Sequence, residues 1–133
     1  MPNGQSGRPR IGRELGRGAV GIVYENLDQP GWVVKMFYPR ATSPLQAGNE
    51  YANLQKARAI RPDHVVKAQP PADPRQGWIV KEEVIRDIPS LADRTAFNQV
   101  EQELINGGVQ DVGSNLWFGH TVDNPFPRWI LLE

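Results

Sequence analysis

The sequence predicts an α+β fold, and three observations carry it. Runs of β-branched and aromatic residues gather near the N-terminus, two segments have helical periodicity with caps, and glycine and proline punctuate the joints between them. The expected order is strand, strand, strand, helix, strand, strand, helix, then a loop and short strands.

The first strand is "IGRELG" (11–16), which runs into "LGRGAVGIVY" (15–24) with glycines at 16, 18 and 21. "IVYENL" follows, "DQPG" (28–31) makes a turn, and "WVVKMFY" (32–38) is the next strand, stopped by Pro39. The apolar residues after the glycines do not recur every three or four positions, so the loop joins two antiparallel strands. A dinucleotide-binding turn opens a helix, and a P-loop continues into Gly-Lys-Ser/Thr and a helix; both are disfavoured.

"TSPLQAGNEYANLQKARAI" (42–60) predicts a helix from residue 43 to 60, with Ser43 as N-cap, Pro44 at the first helical position and Gln46 completing a capping box. Ala47, Glu50, Leu54 and Ala57 share one face, and a glutamate on an apolar stripe calls for a cationic partner. The alternative has Glu50 flanking the stripe in water with Tyr51 turned inward. Gly48 weakens this helix by about 1 kcal/mol relative to alanine. "HVVKAQ" (64–69) and "IVKEEVI" (79–85) are expected strands. "SLADRTAFNQVEQELINGG" (90–108) is a second helix, capped by Ser90, with Asp93 in its first turn and ended by Gly107 and Gly108. Ala92, Ala96, Val100 and Leu104 line its packing side.

A length of 133 residues fits a single domain over 11–133, preceded by a flexible polar segment, 1–10. Lys plus Arg and Asp plus Glu are equal at 15 each, so the domain lacks the positive field of a nucleic-acid binder. Arg8, Arg10, Arg13 and Arg17 read as a solvated arm. The absence of cysteine excludes disulfides and thiolate metal sites, suits a reducing cytosol, and suits a chain that unfolds for export. No apolar run is long enough to span a membrane, and the opening "MPNGQSGRPR" lacks the apolar stretch of a signal peptide. His64 and His120 stand far apart without a carboxylate at ligand spacing, and the four tryptophans mostly start apolar strands. The histidines read as surface or packing residues and the tryptophans as core or edge packing. Ser114 lacks a nucleophile-elbow context.

A glycine-rich hairpin over phosphates, a valine two residues past its last glycine, and a lysine on the following strand resemble the N-terminal lobe of the protein-kinase-like superfamily. Here these are Gly16, Gly18, Gly21, Val23 and the "VVK" ending at Lys35. The chemistry is plain: glycines admit backbone N–H groups to a triphosphate, and a lysine neutralises its inner phosphates. "GWVVK" (31–35) has a near copy in "GWIVK" (77–81). Lys35 adjoins the hairpin and is the expected phosphate lysine, and Lys81 is expected to be a solvent-facing edge residue. The resemblance implies that Glu50 pairs with Lys35. It also makes 79–85 the hinge strand, whose backbone at Glu82 and Val84 meets adenine.

The stretch "VQDVGSNLWFG" (109–119) is similar to the Asp…Asn catalytic loop of that superfamily. The resemblance implies that Asp111 orients the attacking hydroxyl and Asn115 holds a metal. The interval is four residues where the family has five, and Val109–Gln110 stand in place of His-Arg. A plain turn is the alternative reading. "TVDNPFPRWILLE" (121–133) is a turn and short strand ending where the metal-binding aspartate of Asp-Phe-Gly belongs, so Glu133 becomes the second metal residue. The expectation is a domain without Phe-Gly, an activation segment or a full helical C-lobe. The implied fold is a kinase-like N-lobe, a sheet with one packed helix, then a helix and a reduced catalytic-loop hairpin.

The resemblance implies a minimal ATP- and magnesium-dependent phosphotransferase acting on a protein hydroxyl, of the Ser/Thr type, similar to kinase-like domains of bacterial secreted effectors and polymorphic toxins. The expected location is the cytoplasm, or that of a target cell after secretion. Two alternatives stay open: a catalytically inactive pseudokinase-like module binding a nucleotide or a protein, and a small adaptor whose glycines only make a hairpin.

Overall fold

The computed structural model describes residues 7–40 and 43–133. Of the expected flexible segment, residues 1–6 lie outside the described residues, as does Thr42 at the head of the first helical stretch. The described residues form an α+β structure in two compact units: one runs to Tyr51 and includes Ala68–Glu82, and the other comprises Ala52–Lys67 and Glu83–Glu133.

The first unit holds a four-stranded antiparallel sheet in the order β1 (Ile11–Arg17), β2 (Gly21–Asn26), β3 (Trp32–Phe37), β4 (Trp78–Glu82). Arg10 already belongs to it, since its carbonyl accepts from Leu27 and its amide donates to Asp28. The arginines at 10, 13 and 17 are solvated as expected, yet paired: Arg10 with Asp28, Arg13 with Glu25 and Arg17 with Glu14. At the β2–β3 turn Asn26 accepts from the amides of Asp28 and Gln29, and Gly31 supplies the left-handed backbone (φ 86°).

Strand alternation gives β3 and β4 two faces. Val34, Trp78 and Val80 pack on one, with Ile11, Trp32 and Met36 around them. Phe37 and Ile79 pack on the other, against Ala47 and Tyr51 of helix α1 (Gln46–Ile60). The helix starts three residues inside the expected 43–60. Ser43 lies before it, its Oγ accepting from the Leu45 amide. The interior Gly48 has a packing reason: a Cβ there would stand 2.6 Å from Pro74 Cβ, and its amide donates to Pro74 O. The proline-rich loop thus lies directly on the helix backbone.

The second unit holds the rest of α1, helix α2 (Leu91–Asn106) and a three-stranded antiparallel sheet, β5 (Ile85–Arg86), β6 (Leu116–His120), β7 (Arg128–Leu131). Helix α2 starts as expected, with a reciprocal capping box between Ser90 and Asp93. It ends at Gly107 and Gly108, the latter left-handed (φ 85°). The last turn of α1 is closed by Arg58, whose guanidinium donates to Pro62 O and Val65 O. Val100 and Leu104 are buried, as are Leu54, Leu116, Ile130 and Leu131. Phe97 and Phe118 meet the Trp129 ring edge-on, and Trp129 Nε1 donates to Asp93 O.

Two expected strands are corrected. Residues 64–69 form no regular strand; a 3₁₀ turn covers Pro62–His64, and Val65 and Ala68 make isolated bridges to Leu131 and Lys81. Prolines at 62, 70 and 71 flank a stretch too short to sustain a ladder. The expected strand 79–85 is two strands, because β4 ends at Glu82 and Ile85 belongs to the other sheet.

The Gly48 contact gives a prediction opposite to helix propensity. Propensity alone expects Gly48→Ala to stabilise by about 1 kcal/mol. The collision with Pro74 predicts a lower Tm instead, measurable by circular dichroism; a raised Tm would contradict the packing.

Candidate functional site

In the first unit the candidate site is built from the β1–β2 hairpin, β3, β4 and the first turns of α1. Gly16 pairs with Val23, and Val23 pairs with Lys35, so the three positions line up across the sheet. The hairpin closes through Gly18 N–H to Gly21 O (2.9 Å). Its glycines differ in kind. A Cβ on Gly21 would collide with the Met36 carbonyl of β3, so this glycine serves strand pairing. Around a Cβ on Gly16 or Gly18 there is only open space, and neither residue has positive φ.

Lys35 is buried, and its Nζ donates to Glu50 Oε1 at 3.1 Å. Glu50 is buried too, on the stripe with Ala47, Leu54 and Ala57, and Tyr51 does not replace it. The expectation for Lys81 is overturned. Lys81 is buried, and its Nζ lies 2.8 Å from Glu50 Oε2. The reason is register: β4 pairs with β3 through Val33–Lys81 and Lys35–Ile79, which puts 35 and 81 on one face as diagonal neighbours. The repeated Trp-x-Val-Lys pattern was the signal. Two strands with the same alternation, paired antiparallel, aim both lysines at the helix.

Burial pushes the Glu50 carboxyl up, but Lys81 and then Lys35 outweigh it and hold it below its ordinary value. Glu82, at the end of β4, is buried. Val84 lies outside any strand.

In the second unit, Asp111 is the one described residue other than glycine with positive φ (55°). Such a backbone costs a non-glycine residue about 1–2 kcal/mol. Asn115, in the 3₁₀ turn Gly113–Asn115, donates from Nδ2 to Asp111 O at 2.6 Å and accepts at its own carbonyl from Leu132 N–H at 3.0 Å. Asp111, Asn115 and the chain leading to Glu133 are thereby joined in one hydrogen-bonded turn. Asn115 Oδ1 and the Glu133 carboxylate are hard oxygen donors of the kind magnesium takes, so the donor chemistry fits that ion. Among the described residues no group of three or more His, Cys, Asp or Glu forms a metal cluster.

Sequence reasoning missed two arrangements here. Asn53, one turn after Glu50 on α1, bonds both backbone groups of Gln110. His120 Nδ1, on β6, lies 2.6 Å from Oδ2 of Asp87, the residue after β5, a partner remote in sequence. Among the described residues no helix is long and apolar enough to cross a membrane. No protein-family model matches this sequence, and no curated protein matches it either.

The lysine pair predicts non-additive mutants. Lys35→Ala and Lys81→Ala each leave Glu50 one ammonium, whereas the double variant strands a buried carboxylate, a loss of about 3–5 kcal/mol. Denaturant unfolding of the three variants should show the double costing more than the sum; simple additivity would contradict a shared carboxylate. The sign with pH follows from a depressed carboxyl. Its stabilisation is present above the unfolded carboxylate pKa, about 4.3, and is lost as pH falls through the lower folded value. Glu50→Gln should therefore flatten the acid limb of the stability curve.

Proposed function

We propose that this chain is an ATP-dependent phosphotransferase of the protein-kinase-like type, transferring the γ-phosphoryl group to a hydroxyl on a protein. The observation that carries the proposal is the buried Lys35–Glu50 ion pair, on the strand that follows a glycine hairpin whose Gly16 and Gly18 answer to no packing need. A lysine costs free energy to bury. Placed on the strand next to that hairpin, it serves a polyanion, and the glutamate fixes where its ammonium stands.

In this reading, Gly16, Gly18, Gly21 and Val23 offer the phosphate-facing hairpin, Lys35 neutralises phosphate, and Glu50 orients Lys35. The backbone at Glu82 and Val84 meets adenine. Asp111 accepts a hydrogen bond from the attacking hydroxyl, and Asn115 and Glu133 hold magnesium, which supplies charge neutralisation on the phosphates. The cysteine-free composition suits work in a reducing cytoplasm, the cell's own or that of a target cell reached by secretion. A second reading, a pseudokinase-like nucleotide- or protein-binding module, draws on Glu133 in the place of an aspartate and on the four-residue Asp111–Asn115 interval.

Millimolar ATP with magnesium is expected to raise Tm by linkage, and Gly16→Ala and Gly18→Ala to lose that gain while unfolding like the wild type without ligand. The same variants left responsive to ATP would remove the hairpin from the site. With γ-labelled ATP and a cell lysate, wild-type protein should label a protein band, and Asp111→Ala should abolish labelling while keeping the thermal shift. Binding without any transfer by the wild type would favour the pseudokinase-like module.

A further inference from the structure

Asn53 holds the backbone next to Asp111 from two sides at once. Its Oδ1 accepts from Gln110 N–H at 2.9 Å, and its Nδ2 donates to Gln110 O at 3.0 Å. The same Nδ2 lies 3.5 Å from Glu133 O. The amide's orientation is fixed by its neighbours, because one donor faces the oxygen and two carbonyls face the nitrogen. One side chain thus acts as a strand partner for the residue before Asp111 and reaches the last carbonyl of the chain described.

That placement answers a question left by the Asp111 backbone. A left-handed aspartate persists only where its surroundings determine it. Asn115 Nδ2 holds the carbonyl on the far side of Asp111, and Asn53 holds both backbone groups on the near side. Released on the near side, Gln110 is free to rotate, and the Asp111 carboxylate swings with it.

We propose that Asn53 is a positioning residue that sets the direction of the Asp111 carboxylate. This rests on the phosphotransferase reading given above. Asn53 acts through the Gln110 backbone, so its effect is expected on turnover rather than on ATP capture.

The test compares the full-length wild type with Asn53→Ala and Asn53→Asp, in steady-state transfer from ATP to the lysate protein and in amide hydrogen exchange. Asn53→Ala is expected to lower kcat by about tenfold to a hundredfold, as small misplacements of reacting groups do, with KM for ATP unchanged. Exchange at the Gln110 amide should quicken while that at Leu104 in α2 does not. Asn53→Asp keeps the acceptor for Gln110 N–H and loses both donations, so it should retain the Gln110 protection and restore part of kcat. It also carries the test if Asn53→Ala does not fold. Unchanged kcat with lost Gln110 protection would overturn the proposal, as would kcat and KM shifting together with a general rise in exchange. If the wild type transfers no phosphate, the phosphotransferase reading and the positioning role of Asn53 both fall. The Gln110 exchange then still decides separately whether Asn53 holds the loop.

Discussion

The first unit depends on one carboxylate. Glu50 enters the interior on an otherwise apolar stripe, and it can do so because two neighbouring strands deliver Lys35 and Lys81 to its two oxygens. Removing charges from water costs several kcal/mol per ion, so neither lysine nor the glutamate would be buried alone. The arrangement ties helix to sheet at one registered point. A slip of β4 by a single residue would turn Lys81 to the opposite face. It therefore specifies register as well as joining the elements.

Such a cluster is a poor device for stability alone, since well-packed apolar residues would serve as well or better. Its location gives it a use. Lys35 is the cross-strand partner of Val23, itself the partner of Gly16. The strand contacts explain Gly21, Pro74 explains Gly48, and nothing in the packing explains Gly16 or Gly18. An oriented ammonium in line with unobstructed backbone is what phosphate recognition needs, and the phosphotransferase proposal follows from that conjunction.

Much of this was legible in the sequence because it is local. The hairpin, the turn at 28–31, the Ser90–Asp93 capping box and the Glu50 stripe depend on residues a few positions apart, where sterics and periodicity dominate. What escaped is long-range. The role of Lys81 needed the β3–β4 register, which a repeated pentapeptide hints at but does not fix. Asn53 meets Gln110 across 57 positions, and no periodicity announces a side chain that acts as a strand partner. The misread strands at 64–69 and 79–85 are apolar runs whose neighbours in space, not their own residues, decide whether a ladder forms.

The most direct measurement is a titration of isotopically labelled protein with ATP and magnesium, followed by NMR at backbone amides and lysine Nζ groups. Saturable shifts are expected at the amides of Gly16 and Gly18 and at Lys35 Nζ, with the Gly31 turn unmoved. Saturable binding that leaves these groups unshifted, or no binding at millimolar ATP, would contradict it.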